Sequence, residues 1–249
     1  MKRGQITIFI IIAVVVIALT AIIFLSRDYF QIGGIQKSIE PVYNEFQSCF
    51  ESTSNEGVHY IASHGGYYDV PFETSIVYFT EDIPYYFLES KNYTPTIEII
   101  EEELAKYISE NLNSCFDLES YKTRGFEIEN ENYSILAKIN EDNIEIKMLN
   151  KITVIKGEDK SRFNTKTNLD YNIKNLHEAS VEIIKSYIEN PGTICLTCLE
   201  EISEKNSVKI LAVPHEDPSI YEDNIIWFLI NDKEDTSENK LNWIFIVEQ

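Results

Sequence analysis

Apolar positions follow three regimes along the chain. The first is Ile6–Leu25, twenty residues without a charge and with only Thr7 and Thr20 as polar side chains. As a helix this run spans roughly 30 Å, the thickness of a bilayer's hydrocarbon core, and it predicts one transmembrane helix over residues 5–27. Later apolar stretches are all too short to span again. Lys2 and Arg3 precede the run, while Arg27 behind it is offset by Asp28. The excess of positive charge places the N-terminus in the cytoplasm, giving a single-pass protein of the cell membrane with residues 28–249 outside the cytoplasm. The alternative is a cleaved secretory signal, with small residues from Ala18 to Ala21 near the cut.

The second regime has helical spacing. Ile39, Val42, Phe46, Cys49, Phe50, Thr53, Tyr60 and Ile61 form an apolar stripe at intervals of three and four. Pro41 is tolerated in a first turn, and Gly65-Gly66 ends the helix. A second helix begins near Thr94-Pro95 and carries Ile100, Leu104, Tyr107, Ile108 and Leu112 on one face. A third covers residues 168–190 and stops at Pro191-Gly192.

The third regime alternates. From Gly125 to Ile155 the apolar positions fall at every second residue, which predicts an antiparallel meander. Further strands are expected at Ser75–Thr80, Tyr85–Glu89, Val208–Val213, Ile225–Ile230 and Trp243–Val247. The predicted fold class is α+β: one N-terminal transmembrane helix, then an ectodomain of antiparallel sheet with about three helices. Division into two subdomains near residue 120 is the alternative.

Charge changes the picture of partners. The chain has a net charge of −20, and residues 28–249 hold 18 of the 21 basic and all 41 acidic side chains, a net −23. Such a surface repels phosphate backbones, which excludes nucleic acid as a partner. It serves first as a solubilising surface; cation binding and electrostatic choice of a protein partner are the alternatives.

The flank of the apolar run is more specific than an ordinary anchor. Lys2-Arg3-Gly4-Gln5 followed at once by an unbroken hydrophobic helix resembles the class III signal of archaeal type IV pilins and archaellins. The resemblance implies a leader of residues 1–4, cut between Gly4 and Gln5 by a prepilin-type peptidase. It also implies a mature helix that stays in the lipid bilayer or packs with other pilin-like subunits. Glycine suits the cut, because a peptidase needs an unwound, unhindered peptide.

Four cysteines, Cys49, Cys115, Cys195 and Cys198, favour disulfides in an exported domain. Three pairings are open. Local Cys195–Cys198 with long-range Cys49–Cys115 is the simplest, the latter contributing about 4 kcal/mol through loop closure. A thioredoxin-like role for Cys195-Leu196-Thr197-Cys198 requires the first cysteine at a helix N-terminus after a core strand. Here a helix and Pro191-Gly192 precede it. Zinc needs four ligands, and one CxxC supplies two.

Among the histidines, His59 and His64 are five apart and off a common helical face; His177 and His215 stand alone. The turn Asn231–Asn239 is rich in oxygens but lacks the spacing and central glycine of a calcium loop. The tyrosine runs at Tyr67-Tyr68 and Tyr85-Tyr86 read as half-buried strand packing, with a glycan or peptide platform as the alternative. Asn92 and Asn132 begin glycosylation sequons, meaningful only on exported residues. The sequence offers no catalytic residues, cofactor or metal site. It favours a non-enzymatic surface or assembly subunit. The alternatives are a ligand- or partner-binding module and a membrane-bound thiol–disulfide oxidoreductase using the CxxC.

Overall fold

The computed structural model describes residues 35–78, 80–129, 132–215, 225–233, 235 and 240–248. Two long helices form its spine. Helix α1 (Glu40–Ser63) takes Pro41 in its first turn and buries Val42, Phe46, Cys49, Phe50, Thr53 and Ile61 of the expected stripe, with Val58 in addition and Tyr60 only half-buried. Helix α2 (Ile97–Cys115) starts at Thr96, whose hydroxyl accepts the Ile99 N–H, and buries Ile100, Leu104, Ile108 and Leu112. The two helices pass closest at Gly57, where an added Cβ would lie 2.7 Å from a Tyr107 ring carbon. Cys49 and Cys115 join them as a disulfide, 66 positions apart in sequence with Cα atoms 5.8 Å apart.

A six-stranded sheet packs at the C-terminal end of α1. It contains β1 (Ser75–Tyr78), β2 (Glu81–Leu88), β3 (Lys91–Asn92), β10 (Val208–His215), β11 (Ile225–Asp232) and β12 (Trp243–Glu248). The order is β1-β2-β12-β11-β10, with β3 paired to β2. β12 runs parallel to β2, and every other pairing in this sheet is antiparallel. Between α2 and β10 the chain builds the short helix α3 (Leu118–Thr123), then β4 (Glu127–Glu129), β5 (Ile135–Ile139), β6 (Ile144–Met148), β7 (Ile152–Lys156), β8 (Asp159–Phe163) and β9 (Lys166–Leu169). These six strands divide into two three-stranded antiparallel sheets, β4-β7-β8 and β5-β6-β9. Helices α4 (Ile173–Glu189) and α5 (Leu196–Lys205) then lead into β10.

The expected fold class is corrected in three respects. Among the described residues no helix is long and apolar enough to cross a membrane, because each buries one stripe and carries charge on its other side. The main sheet is mixed rather than antiparallel, and among the described residues the α-helices number five rather than about three. The meander is corrected as well: β4 pairs with β7 rather than β5, so alternation marked the strands but not their partners. The third helix starts at Ile173 because Lys166–Leu169 pairs with β6. The leader 1–4, the segment 5–27, the Gly4–Gln5 processing point and most of the acidic turn lie outside the described residues.

One hydrophobic core runs through α1, α2, α4, both small sheets and the inner face of the main sheet. No break appears near residue 120: Phe116 and Tyr121 stack within this core. Alternation along β11 and β12 sends Ile226, Phe228, Ile230, Trp243, Phe245 and Val247 into it. The intervening residues, Ile225, Trp227, Ile244 and Ile246, join Ile83 and Tyr85 in a smaller cluster on the other face.

Candidate functional site: an apolar groove on the outer sheet face

The end of α1 fixes one wall of this outer face. Gly65 and Gly66 adopt φ of +55° and +88°, a backbone region that side chains disfavour. A Cβ on Gly65 would meet Pro84 at 2.8 Å and the Ile244 carbonyl at 2.9 Å. The glycine pair therefore lets α1 end directly against β2 and β12. The buried Tyr86 hydroxyl donates to the Gly65 carbonyl at 2.7 Å and locks the turn. Glu103 accepts the N–H groups of Tyr68 and Asp69, both at 2.8 Å, and holds the chain beyond it.

The result is a groove of about 700 Å³. Its floor is Ile83, Leu211, Val213, Trp227, Leu229 and Ile244; its upper end carries Tyr60, Ser63, His64 and Glu81, with Tyr78 beside Trp227. Leu211 is 54% exposed and Val213 45%, although both lie on the same sheet as the core. Leaving large aliphatic side chains in water forfeits on the order of 1 kcal/mol or more each, so the face is built to be covered.

The polar end is ordered by hydrogen bonds. His64 Nε2 lies 2.9 Å from Glu81 Oε2, and His64 Nδ1 lies 2.8 Å from the Tyr60 carbonyl and 3.0 Å from Ser63 Oγ. The Tyr60 ring stacks on His64 at 4.1 Å. Burial, followed by the Glu81 charge, pushes the Tyr60 hydroxyl above its ordinary pKa, so it is a neutral donor and acceptor. His64 is 4% exposed, whereas the Glu81 side chain is 58% exposed. The histidine thus aims a carboxylate into the groove mouth.

Ser63, His64 and Glu81 stand in the order nucleophile, base, carboxylate, yet the arrangement does not supply acyl transfer. Ser63 Oγ donates to the Tyr60 carbonyl at 2.8 Å, and that same carbonyl occupies His64 Nδ1. The amides of His64, Gly65 and Gly66 all bond back to α1 carbonyls. None is left to stabilise an oxyanion beside Ser63. The exposed Glu81 carboxylate can accept from a hydrogen-bond donor or pair with a cation.

Comparison with protein-family models, curated proteins and solved structures finds no match to this chain.

The residues singled out in the sequence fall elsewhere. Cys49–Cys115 sits in the spine and Cys195–Cys198 at the start of α5, both pairs at disulfide-bonding distance. Asn92 and Asn132 are exposed, Asn92 closing a local turn by accepting the Thr94 N–H. His59 bonds the Tyr171 hydroxyl at 3.1 Å and faces away from His64. The tyrosine runs divide: Tyr86 stacks on Phe245 in the core, Tyr67 bonds the Tyr93 carbonyl, and Tyr85 lies on the groove side. No cluster of three or more potential metal ligands occurs among the described residues.

Sequence reading missed the groove because its lining comes from five separate segments: the end of α1, the β1–β2 hairpin, β10, β11 and β12. One signal was present: Ile225–Ile230 and Trp243–Val247 are apolar at consecutive positions, the mark of strands contacted on both faces.

Proposed function

We propose that this protein is a partner-binding module acting outside the cytoplasm at the membrane surface, and that its groove takes an apolar peptide segment bearing basic residues. The uncovered apolar floor with the Glu81 carboxylate at its end carries the reading. A net charge of −20 adds long-range attraction for a cationic partner. The Lys2/Arg3-flanked apolar run at residues 6–25 supports membrane attachment, and the Lys2-Arg3-Gly4-Gln5 flank supports pilin-like processing. Ile35 begins the described chain at the N-terminal end of α1, where the Gln36 N–H donates to Ser161 Oγ. The groove lies at the other end of this 24-residue helix, about 36 Å away.

Trp227 lines the groove while Trp243 is fully buried, so fluorescence reports occupancy. Titrating the full chain with a synthetic peptide of alternating leucine and lysine should give a saturable change. The Leu211→Asp variant should lose it, and Glu81→Gln should weaken it several-fold, by about 1 kcal/mol. An equal response to a leucine/glutamate peptide, or no response to either, would refute the proposal.

A further inference from the structure

We infer that Cys195–Cys198 is a redox-active disulfide that exchanges with a dithiol on another protein. The site lies on the inner-face side of the main sheet and is independent of the groove. Cys195 is the N-cap of α5, a ten-residue helix, and its Sγ accepts the Cys198 N–H at 3.2 Å. The Thr197 hydroxyl lies 3.5 Å from the same sulfur. Cys198 stands in the first turn of the same helix, and it is its backbone N–H, not its sulfur, that takes part in the cap bond. The two sulfurs are therefore unequal: developing negative charge on Cys195 meets the helix N-terminus, an amide and a hydroxyl, the arrangement that favours a thiolate.

Access and support are also present. Both cysteines are half-buried, Thr197 is exposed, and Leu196 between them is 74% exposed, an apolar contact for an incoming chain. Beneath Cys195 the wall is Ile183, Tyr187, Ile194, Leu199 and Phe228, a packed seat from α4, α5 and β11. The pair spans three sequence positions, so closing so small a loop constrains the unfolded chain little. A bond that contributes so little to stability, at a half-buried helix cap, is better matched by exchange chemistry.

The step balances as follows. A partner thiolate attacks Cys195 Sγ, the Cys195–Cys198 bond breaks, and Cys198 leaves as a thiolate that takes a proton from water. The partner's second thiolate then attacks its own sulfur in the mixed disulfide and releases Cys195 as the thiolate held by the helix cap. The partner dithiol loses two electrons and two protons; the Cys195–Cys198 pair gains both electrons and, at Cys198, one proton, while the other proton stays in water as long as Cys195 remains a thiolate. No further oxidant enters.

The test uses the full chain and a synthetic peptide with two cysteines. Mixed with the reduced peptide, the protein should gain two hydrogens at Cys195 and Cys198 while the Cys49–Cys115 peptides remain joined in the mass map. With the oxidised peptide, Cys198→Ala should form a mixed disulfide through Cys195 at least about ten-fold faster than Cys195→Ala does through Cys198. Far-ultraviolet circular dichroism of both variants controls for folding. Equal rates from the two variants would reduce the pair to an exposed structural bond. Reduction of Cys195–Cys198 only together with Cys49–Cys115 would overturn the inference outright.

Discussion

The two disulfides divide the labour of one molecule. Cys49–Cys115 ties α1 to α2 beneath Phe46, Phe50 and Leu112, with Cys49 buried, and spans 66 positions of sequence. Cys195–Cys198 spans three and sits at the surface end of α5. The first restricts an otherwise long, loose segment of the unfolded chain; the second restricts almost nothing. The two bonds differ in loop length, in burial and in the helix N-terminus that faces the Cys195 sulfur.

The largest expected effect breaks the first bond. Replacing Cys49 and Cys115 together by alanine should cost about 4 kcal/mol in urea unfolding, whereas the same change at Cys195 and Cys198 should cost less than about 2 kcal/mol. Equal losses from the two double variants would contradict the division. A smaller effect tests whether the helix spine depends on close approach as well as on the bond. Gly57→Ala brings a methyl within 2.7 Å of Tyr107 and 3.1 Å of Leu104. Alanine's better helix propensity offsets part of the strain, leaving a net loss of about 1–2 kcal/mol in thermal unfolding. Unchanged stability would show that the Tyr107 ring swings aside freely.

Legibility in the sequence follows the range of the interactions involved. The α1 stripe from Ile39 to Ile61 was readable because helical burial repeats within a few residues. Strands β10, β11 and β12 were readable as apolar runs for the same reason. The parallel pairing of Ile246 with Tyr85 was not, since it joins segments separated by most of the chain and depends on what packs between them. Helix α5 escaped notice because LTCLEEISEK buries only Ile202. Its position bears on the CxxC: Cys195 does stand at a helix N-terminus, although α4 rather than a core strand precedes it. Of the groove, Glu81, Ser63 and His64 carried no pattern at all. They meet only because Gly65-Gly66 turns α1 into the edge of β2.

The smallest effect sharpens the contrast between the bonded spine and the α4–α5 side that carries the CxxC. His177 lies near the start of α4, buried, with Nε2 2.7 Å from the Pro95 carbonyl. That carbonyl accepts, so Nε2 carries the hydrogen and the neutral ring satisfies the contact. Burial lowers the His177 pKa below its ordinary 6.5; the Pro95 carbonyl and the charges of Glu178 and Glu98 oppose this only in part. The unfolded chain therefore takes up its proton first as the pH falls. Stability from this group is fully present above about pH 6.5 and is lost as the pH drops from there toward the depressed folded value. The slope is at most about 1.4 kcal/mol per pH unit for one such histidine. His59, also lowered by burial, adds to the same window. In urea unfolding between pH 7.5 and 5, His177→Gln should flatten the dependence while leaving the contribution of His59. Hydrogen exchange at the lower pH should quicken in α4 and leave α1 and α2 near the disulfide protected. A slope unchanged by His177→Gln would move the acid sensitivity to His59, and with it the loosening from the CxxC side to the spine.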